Sequence, residues 1–400
     1  MVVTDKSGHY ITGLKAADFQ VFEDGAPEPI VAFSTTTDSA DADPPSHPLN
    51  GSSIQMPRPA RKLETPRRTY LICIDVLHSS FANFNSVRTA LTKFFQLENS
   101  PDSQYALMAL GWKTRVVVDS TRDASTILDA IQSKALLKTI QDSEASNSAA
   151  SALQFTALMG EYCGSCACRN RSSDGPECDF NKGRVRGFLL RSSERAFLLD
   201  QSFLRQLRQL VEAIAGMPTT HTVIFVSDGF NRFPGRELYQ IMQGFEPRDR
   251  SLMSNSRDNQ SQLDSVLKLA SAKDVKFYTI DSRGVYTSSQ LAGSSFDASN
   301  PGTTRMGATP EGVDLAMDSV GLENADVMAE LAHTTGGLFF QGSNDLLKGI
   351  RKAFADGREY YVLAYIPTNK TLDGKFRKIT VEVKGRKLLV NAKSGYWATE

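Results

Sequence analysis

Three short apolar runs, each ending in a carboxylate, constrain this chain more than any other feature. Thr69–Ile74 runs into Asp75, Thr222–Val226 into Ser227-Asp228, and Val275–Ile280 into Asp281. Short apolar runs bounded by turn residues read as strands buried on both faces, the pattern of a parallel α/β sheet. Ligand sites in such sheets lie beyond the carboxyl ends of the strands, so the three aspartates fall on one edge. Helical periodicity fills the intervals. Phe84, Val87, Leu91, Phe94 and Phe95 share one face of a helix expected to begin near Asn83, and Leu204, Leu207, Val211 and Ile214 mark a longer helix that stops at Gly216-Met217-Pro218. Gln104–Leu110 and Thr114–Val118 read as a hairpin, while Gln262–Ala272, Asp326–Ala332 and the stretch from Leu346 to Phe354 read as helices around a strand at Gly337–Phe340. The expected fold is α/β, a doubly wound and mostly parallel sheet over residues 69–357.

Both ends of the chain read as β. Residues 1–33 hold three strand candidates around the turns Asp5-Lys6-Ser7-Gly8 and Asp24-Gly25. Residues 358–400 alternate at Tyr361, Leu363 and Tyr365 and again at Ile379, Val381 and Val383, with Leu372-Asp373-Gly374 between. Two or three strands alone are marginal, so the two segments are expected to pair as a small β-sandwich that flanks the α/β unit. Residues 34–68 are Pro-rich and polar, a linker whose basic cluster (Arg58, Arg61, Lys62, Arg67, Arg68) reads first as a solvated face. Two stretches, at about 140–195 and 282–320, are too long for plain connections and read as insertions, the first rich in Arg, Ser and Gly turns.

Charge narrows the partners. The 45 basic and 45 acidic side chains cancel, so no global field favours nucleic acid or a membrane surface. No run reaches the roughly 18 apolar residues of a membrane span. Met1-Val2-Val3-Thr4-Asp5 starts inside a strand, and the expectation is a secreted or periplasmic protein whose signal segment lies outside this chain. Cys163, Cys166, Cys168 and Cys178 cluster in one segment. In an exported protein they read as disulfides with three open connectivities; a structural zinc site is the alternative, although a second C-x-x-C pair is missing. Cys73 reads as a small buried apolar residue.

The carboxylate edge is the candidate site. Hard cations such as Mg²⁺ or Mn²⁺ take oxygen ligands from several loops, and Asp75, Ser79 and Asp228 could supply them, with Ser227 as a further hydroxyl. The plain alternative is that each Asp caps the turn or helix that follows it. His78 has the same two readings, in the site or capping a turn.

The motifs resemble a known family. Asp75-Val76-Leu77-His78-Ser79, followed by Val226-Ser227-Asp228-Gly229, is similar to the von Willebrand factor type A domain with its metal-ion-dependent adhesion site. That site's first loop is Asp-x-Ser-x-Ser, its second supplies a Thr and its third an Asp. The likeness extends to the bacterial, Acidobacteria-type VWFA-related domain proteins through Thr12-Gly13-Leu14, Asp18-Phe19 to Glu23-Asp24-Gly25, Ile280-Asp281-Ser282-Arg283-Gly284, Thr335-Gly336-Gly337, Tyr361–Tyr365, Gly374–Arg377 and Ser394-Gly395-Tyr396. Leu77 departs from the pattern by replacing the first Ser of the loop, and only Thr139 and Thr156 are candidates for the second-loop Thr. The resemblance implies a non-catalytic binding module that recognises a protein or matrix partner at the strand edge, with a degenerate metal site. A metal-dependent hydrolase using the same carboxylates is the alternative; His9, His47, His78, His221 and His333 include no pair at H-E-x-x-H spacing, and no Gly-x-Ser-x-Gly elbow is present.

Overall fold

The computed structural model describes residues 1–35, 68–97, 103–147, a few positions between 154 and 165, and then 175–216, 221–236, 257–285 and 325–399. Most of the Pro-rich stretch, Thr156 and most of the 282–320 stretch lie outside the described residues. Four short strands open the chain: β1 (Val2–Thr4), β2 (Phe19–Glu23), β3 (Ala26–Glu28) and β4 (Ile30–Thr35). The central sheet is built from β5 (Arg68–Asp75), β6 (Ser103–Leu110), β7 (Arg115–Thr121), β8 (His221–Ser227), β9 (Lys276–Asp281) and β10 (Phe339–Phe340). Its order is β10-β9-β8-β5-β6-β7, parallel throughout except for β7, which forms the expected hairpin with β6.

That order places a switch point at the site. From β5 the chain moves to β6 and β7 on one side, then crosses to β8 on the other. Connections that leave in opposite directions open a crevice at the carboxyl ends of β5 and β8. Asp75 and Ser227 end those strands, and Asp228 directly follows Ser227.

Alternation along β5 divides the core into two layers. Tyr70, Ile72 and Ile74 face α1 (Phe81–Leu97), α2 (Ala124–Ile131), α3 (Lys134–Asn147) and α7 (Leu346–Asp356). Leu71 and Cys73 face α4 (Pro176–Ala215), α5 (Gln260–Ala272) and α6 (residues 325–335). The Cys73 thiol is free and fully buried, as its apolar surroundings require. Helix α1 begins at Phe81, two residues before the expected start.

Helix α4 departs most from expectation. Residues 176–195 are helical, where an insertion of turns was expected, and they form the first half of a 40-residue helix roughly 60 Å long. Val185, Phe188 and Leu189 extend the buried stripe of Leu199, Phe203, Leu204, Leu207, Leu210, Val211 and Ile214. Arg191 and Arg195 between them lie on its exposed face, and arginine is a good helix former. Gly175 precedes the helix and Pro176 takes its first turn, where a missing N–H costs nothing.

The strand expected at Gly337–Phe340 shrinks to Phe339–Phe340, because Gly337 is where α6 returns tightly against β9. A Cβ at Gly337 would sit 1.8 Å from the Phe277 carbonyl oxygen. Since that neighbour is sheet backbone, Gly337→Ala should exceed the ~1–3 kcal/mol usual for overpacking; urea denaturation measures it, and a loss below about 1 kcal/mol contradicts so tight an approach.

After α7 come β11 (Tyr361–Tyr365), β12 (Phe376–Val383), β13 (Leu389–Asn391) and β14 (Gly395–Trp397). Every N-terminal strand lies in a sheet with a C-terminal one. β1 pairs with β13, β4 with β11, and β2 with β12, all antiparallel. These three small sheets share an apolar cluster of Val3, Leu14, Phe19, Tyr361 and Val383. The Tyr361 hydroxyl donates to the Ile11 carbonyl and accepts from the Leu14 N–H, so the cluster is tied at both chain ends.

Candidate functional site

The loop after β5 is folded by its own aspartate. Asp75 Oδ1 accepts the Leu77 N–H at 2.9 Å and the His78 N–H at 3.1 Å, an Asx-type turn. Asp75 Oδ2 accepts the Ser227 hydroxyl at 2.6 Å and faces His78 Nδ1 at 2.8 Å. A carboxylate offers about four acceptor positions, and all four are occupied.

His78 is the hub of the edge. Its Nε2 lies 2.8 Å from Asp200 Oδ1, on α4. The ring packs edge-on against Phe203 at 4.8 Å between centroids and tilts over Phe230 at 5.8 Å. Burial alone would lower the imidazole pKa, but the charges and hydrogen bonds of Asp75 and Asp200 together outweigh it, raising the value from 6.5 to about 10. Burial raises the Asp200 carboxyl, and contact with His78 opposes that rise. Asp200 Oδ2 accepts from the Asn259 amide, whose oxygen in turn accepts from Gln201.

Asp228 serves a neighbouring loop. Its Oδ2 accepts the Ser80 N–H at 2.9 Å and the Asn83 amide at 2.8 Å, at the start of α1, and its Oδ1 accepts the Ser282 hydroxyl. Burial raises its pKa, opposed chiefly by those hydrogen bonds and by the nearby Arg283 charge. Asp281 caps its own loop through the Arg283 N–H and holds the Arg283 guanidinium with both oxygens, at 2.8 and 2.6 Å. The sheet therefore brings Asp75, Ser79, Asp228 and Asp281 to one edge, and the capping roles of the aspartates are filled.

The oxygen set does not fit a divalent cation. Asp75 has no free acceptor position, Asp228 has three of its four occupied, and Leu77 puts a buried apolar side chain where the resemblance has a hydroxyl. Ser79 Oγ is buried without a hydrogen bond, and one hydroxyl does not hold an ion that demands six oxygens. Thr139 lies on α3, where it bonds to the Ala135 carbonyl and accepts from Arg115. Among the described residues no group of three or more His, Cys, Asp and Glu is arranged to hold a metal.

Of the four clustered cysteines, Cys178 lies in the first turn of α4 and is disulfide-bonded. Cys163, Cys166 and Cys168 lie outside the described residues. No described helix is long and apolar enough to cross a membrane.

Beyond the carboxyl end of β6 the surface opens into a basin of about 700 Å³. Trp112, just beyond the carboxyl end of β6, forms one wall; Leu190, Arg191, Glu194, Arg195 and Leu198, one face of α4, form the other, with Arg257 at the rim. Trp112, Leu190 and Leu198 are 54%, 49% and 53% exposed. Arg257 pairs with Glu194 at 2.8 Å and stacks over Phe197.

Sequence reasoning missed Asp200 and this basin. Asp200 carried a signal: a carboxylate three and four residues before Phe203 and Leu204, on the apolar stripe of a helix, requires a buried cationic partner. The basin carried none, because its helical half lies in a stretch whose composition reads as turns.

No protein-family model matches the chain, and no curated protein matches it. Similar solved structures include the conserved hypothetical protein BatB from Bacteroides thetaiotaomicron, 9% identical over 72% of this chain and 98% of that one, with a TM-score of 0.32. An aerotolerance-related membrane protein from Bacteroides fragilis is 9% identical over 72% of this chain and 98% of that one, with a TM-score of 0.29. Proximal thread matrix protein 1 from the mussel byssus is 10% identical over 74% of this chain and 47% of that one, with a TM-score of 0.28. Likenesses this distant carry no argument about function. What the chain itself shows is an α/β fold with a mostly parallel six-stranded sheet, flanked by helices and small antiparallel sheets.

Proposed function

We propose that this protein is a non-catalytic binding module of the von Willebrand factor A kind, which docks a protein partner on the carboxyl edge of its sheet. The observation that carries the reading is the basin of Trp112, Leu190 and Leu198, which among the described residues is lined also by Arg191, Arg195, Arg257 and Glu194. Exposed aromatic and aliphatic side chains beside arginine are the composition of a recognition patch. Among the described lining residues the arginines outnumber the acid, which favours as occupant a partner segment that combines carboxylates with leucine or aromatic side chains. Hydrolysis has little to work with here, since Asp75, His78 and Ser227 are hydrogen-bonded to one another and to Asp200. The Cys178 disulfide supports an oxidising, extracytoplasmic setting.

The test is fluorescence anisotropy with labelled peptides in which Asp and Glu alternate with Leu and Phe, against Lys-substituted versions and a single-stranded oligonucleotide. The acidic peptide should bind with a Kd that rises with salt, and Arg191→Glu with Arg195→Glu should weaken it at least about tenfold, or about 1.4 kcal/mol. Equal binding of acidic and basic peptides, binding of the oligonucleotide alone, or no binding would count against the reading.

A further inference from the structure

The carboxyl edge carries its own cation. His78 Nδ1 and Nε2 each lie 2.8 Å from a carboxylate oxygen, one on Asp75 and one on Asp200. Ionised carboxylates only accept hydrogen bonds, and a neutral imidazole has one N–H, so with both carboxylates ionised the two contacts call for the doubly protonated ring. The Asp75 and Asp200 side chains are almost wholly buried, and His78 itself is only 12% exposed. Two carboxylates so enclosed need a positive charge between them. The metal of the resembling site would supply such a charge; here Leu77 removes one of its hydroxyl ligands, and the remaining acceptor positions of Asp75 are taken by Leu77 N–H, His78 N–H and the Ser227 hydroxyl.

We propose that this edge is a metal-independent form of the adhesion edge, in which the His78 side chain fills the cation position and couples it to α4 through Asp200. The coupling has a consequence for recognition. Asp200 lies two residues beyond Leu198, so the bridge that balances the charge also fixes the helix face that lines the basin. Partner binding at this edge then needs no divalent ion and survives chelation. The inference stands on the geometry around His78 alone and holds or fails independently of what the basin binds.

Two measurements decide it. Calorimetric titration of the parent protein with Mn²⁺ should show no saturable heat. His78→Gly leaves an imidazole-sized hole between two carboxylates, and added imidazole should raise its melting temperature saturably while leaving that of the parent unchanged. Saturable Mn²⁺ binding by the parent that Asp228→Ala abolishes would overturn the proposal, as would a folded His78→Gly variant indifferent to imidazole. The Mn²⁺ arm uses the parent protein, so it decides the matter even if the glycine variant does not fold.

Discussion

His78→Ala is expected to destabilise the protein by about 3–5 kcal/mol, the usual cost of removing one partner from a buried ion pair and leaving the other uncompensated. Two carboxylates are stranded here, Asp75 from the central strand and Asp200 from α4. The loss also has a sign in pH. The folded-state value of His78, about 10, lies above its ordinary 6.5. Stabilisation from this cluster is therefore fully present below pH about 6.5 and is lost as pH rises towards 10. Asp200, also raised on folding, acts in the same direction at lower pH. Urea denaturation from mildly acidic to alkaline pH should show the parent losing stability across this window, while His78→Gln loses most of that slope. A parent curve that rises with pH, or a variant with an unchanged slope, would remove the charged bridge from the account.

Deleting residues 1–35 is expected to melt the C-terminal strands while the central sheet stays folded. β11, β12 and β13 take ladder partners from β4, β2 and β1 respectively, and against Tyr361 Phe19 packs tilted at 5.4 Å and Phe33 stacks at 5.9 Å. Without them, 361–391 retains only the short β12–β14 pairing, too little to hold on its own. Hydrogen exchange reads this directly: amides of 361–391 should lose protection, while those of β5 and β8, fully paired on both sides, keep theirs. Unchanged protection at the C-terminal end would show that these strands do not depend on the N-terminal ones.

The central sheet was legible because its strands are short apolar runs with a polar stop, and burial on both faces leaves no other pattern for them. Asp75 and Asp228 fall together for the same reason, since the carboxyl ends of parallel neighbouring strands share an edge. Their chemistry was harder to read. Whether Asp75 faces a metal or caps a turn depends on what approaches Oδ2, and the group that approaches is held by Asp200, 125 positions downstream of Asp75. His78 could not be assigned from its loop alone, because its second partner comes from a helix whose first half reads as turns. The strand at Gly337 was shortened by a contact with β9 that has no local signature. Long-range pairing of the two chain ends was legible only through need: each end carries too few strands to stand by itself.

On the proposed charge balance a side chain, not a metal, supplies the positive charge at the strand edge. A long-range ¹H–¹⁵N correlation spectrum of the histidine rings, recorded at neutral pH with chelator present, tests it most directly. Both His78 ring nitrogens should be protonated, and the ring should remain an imidazolium well into the alkaline range. A His78 ring with one unprotonated nitrogen at neutral pH, or one that changes state when Mn²⁺ is added, would contradict it.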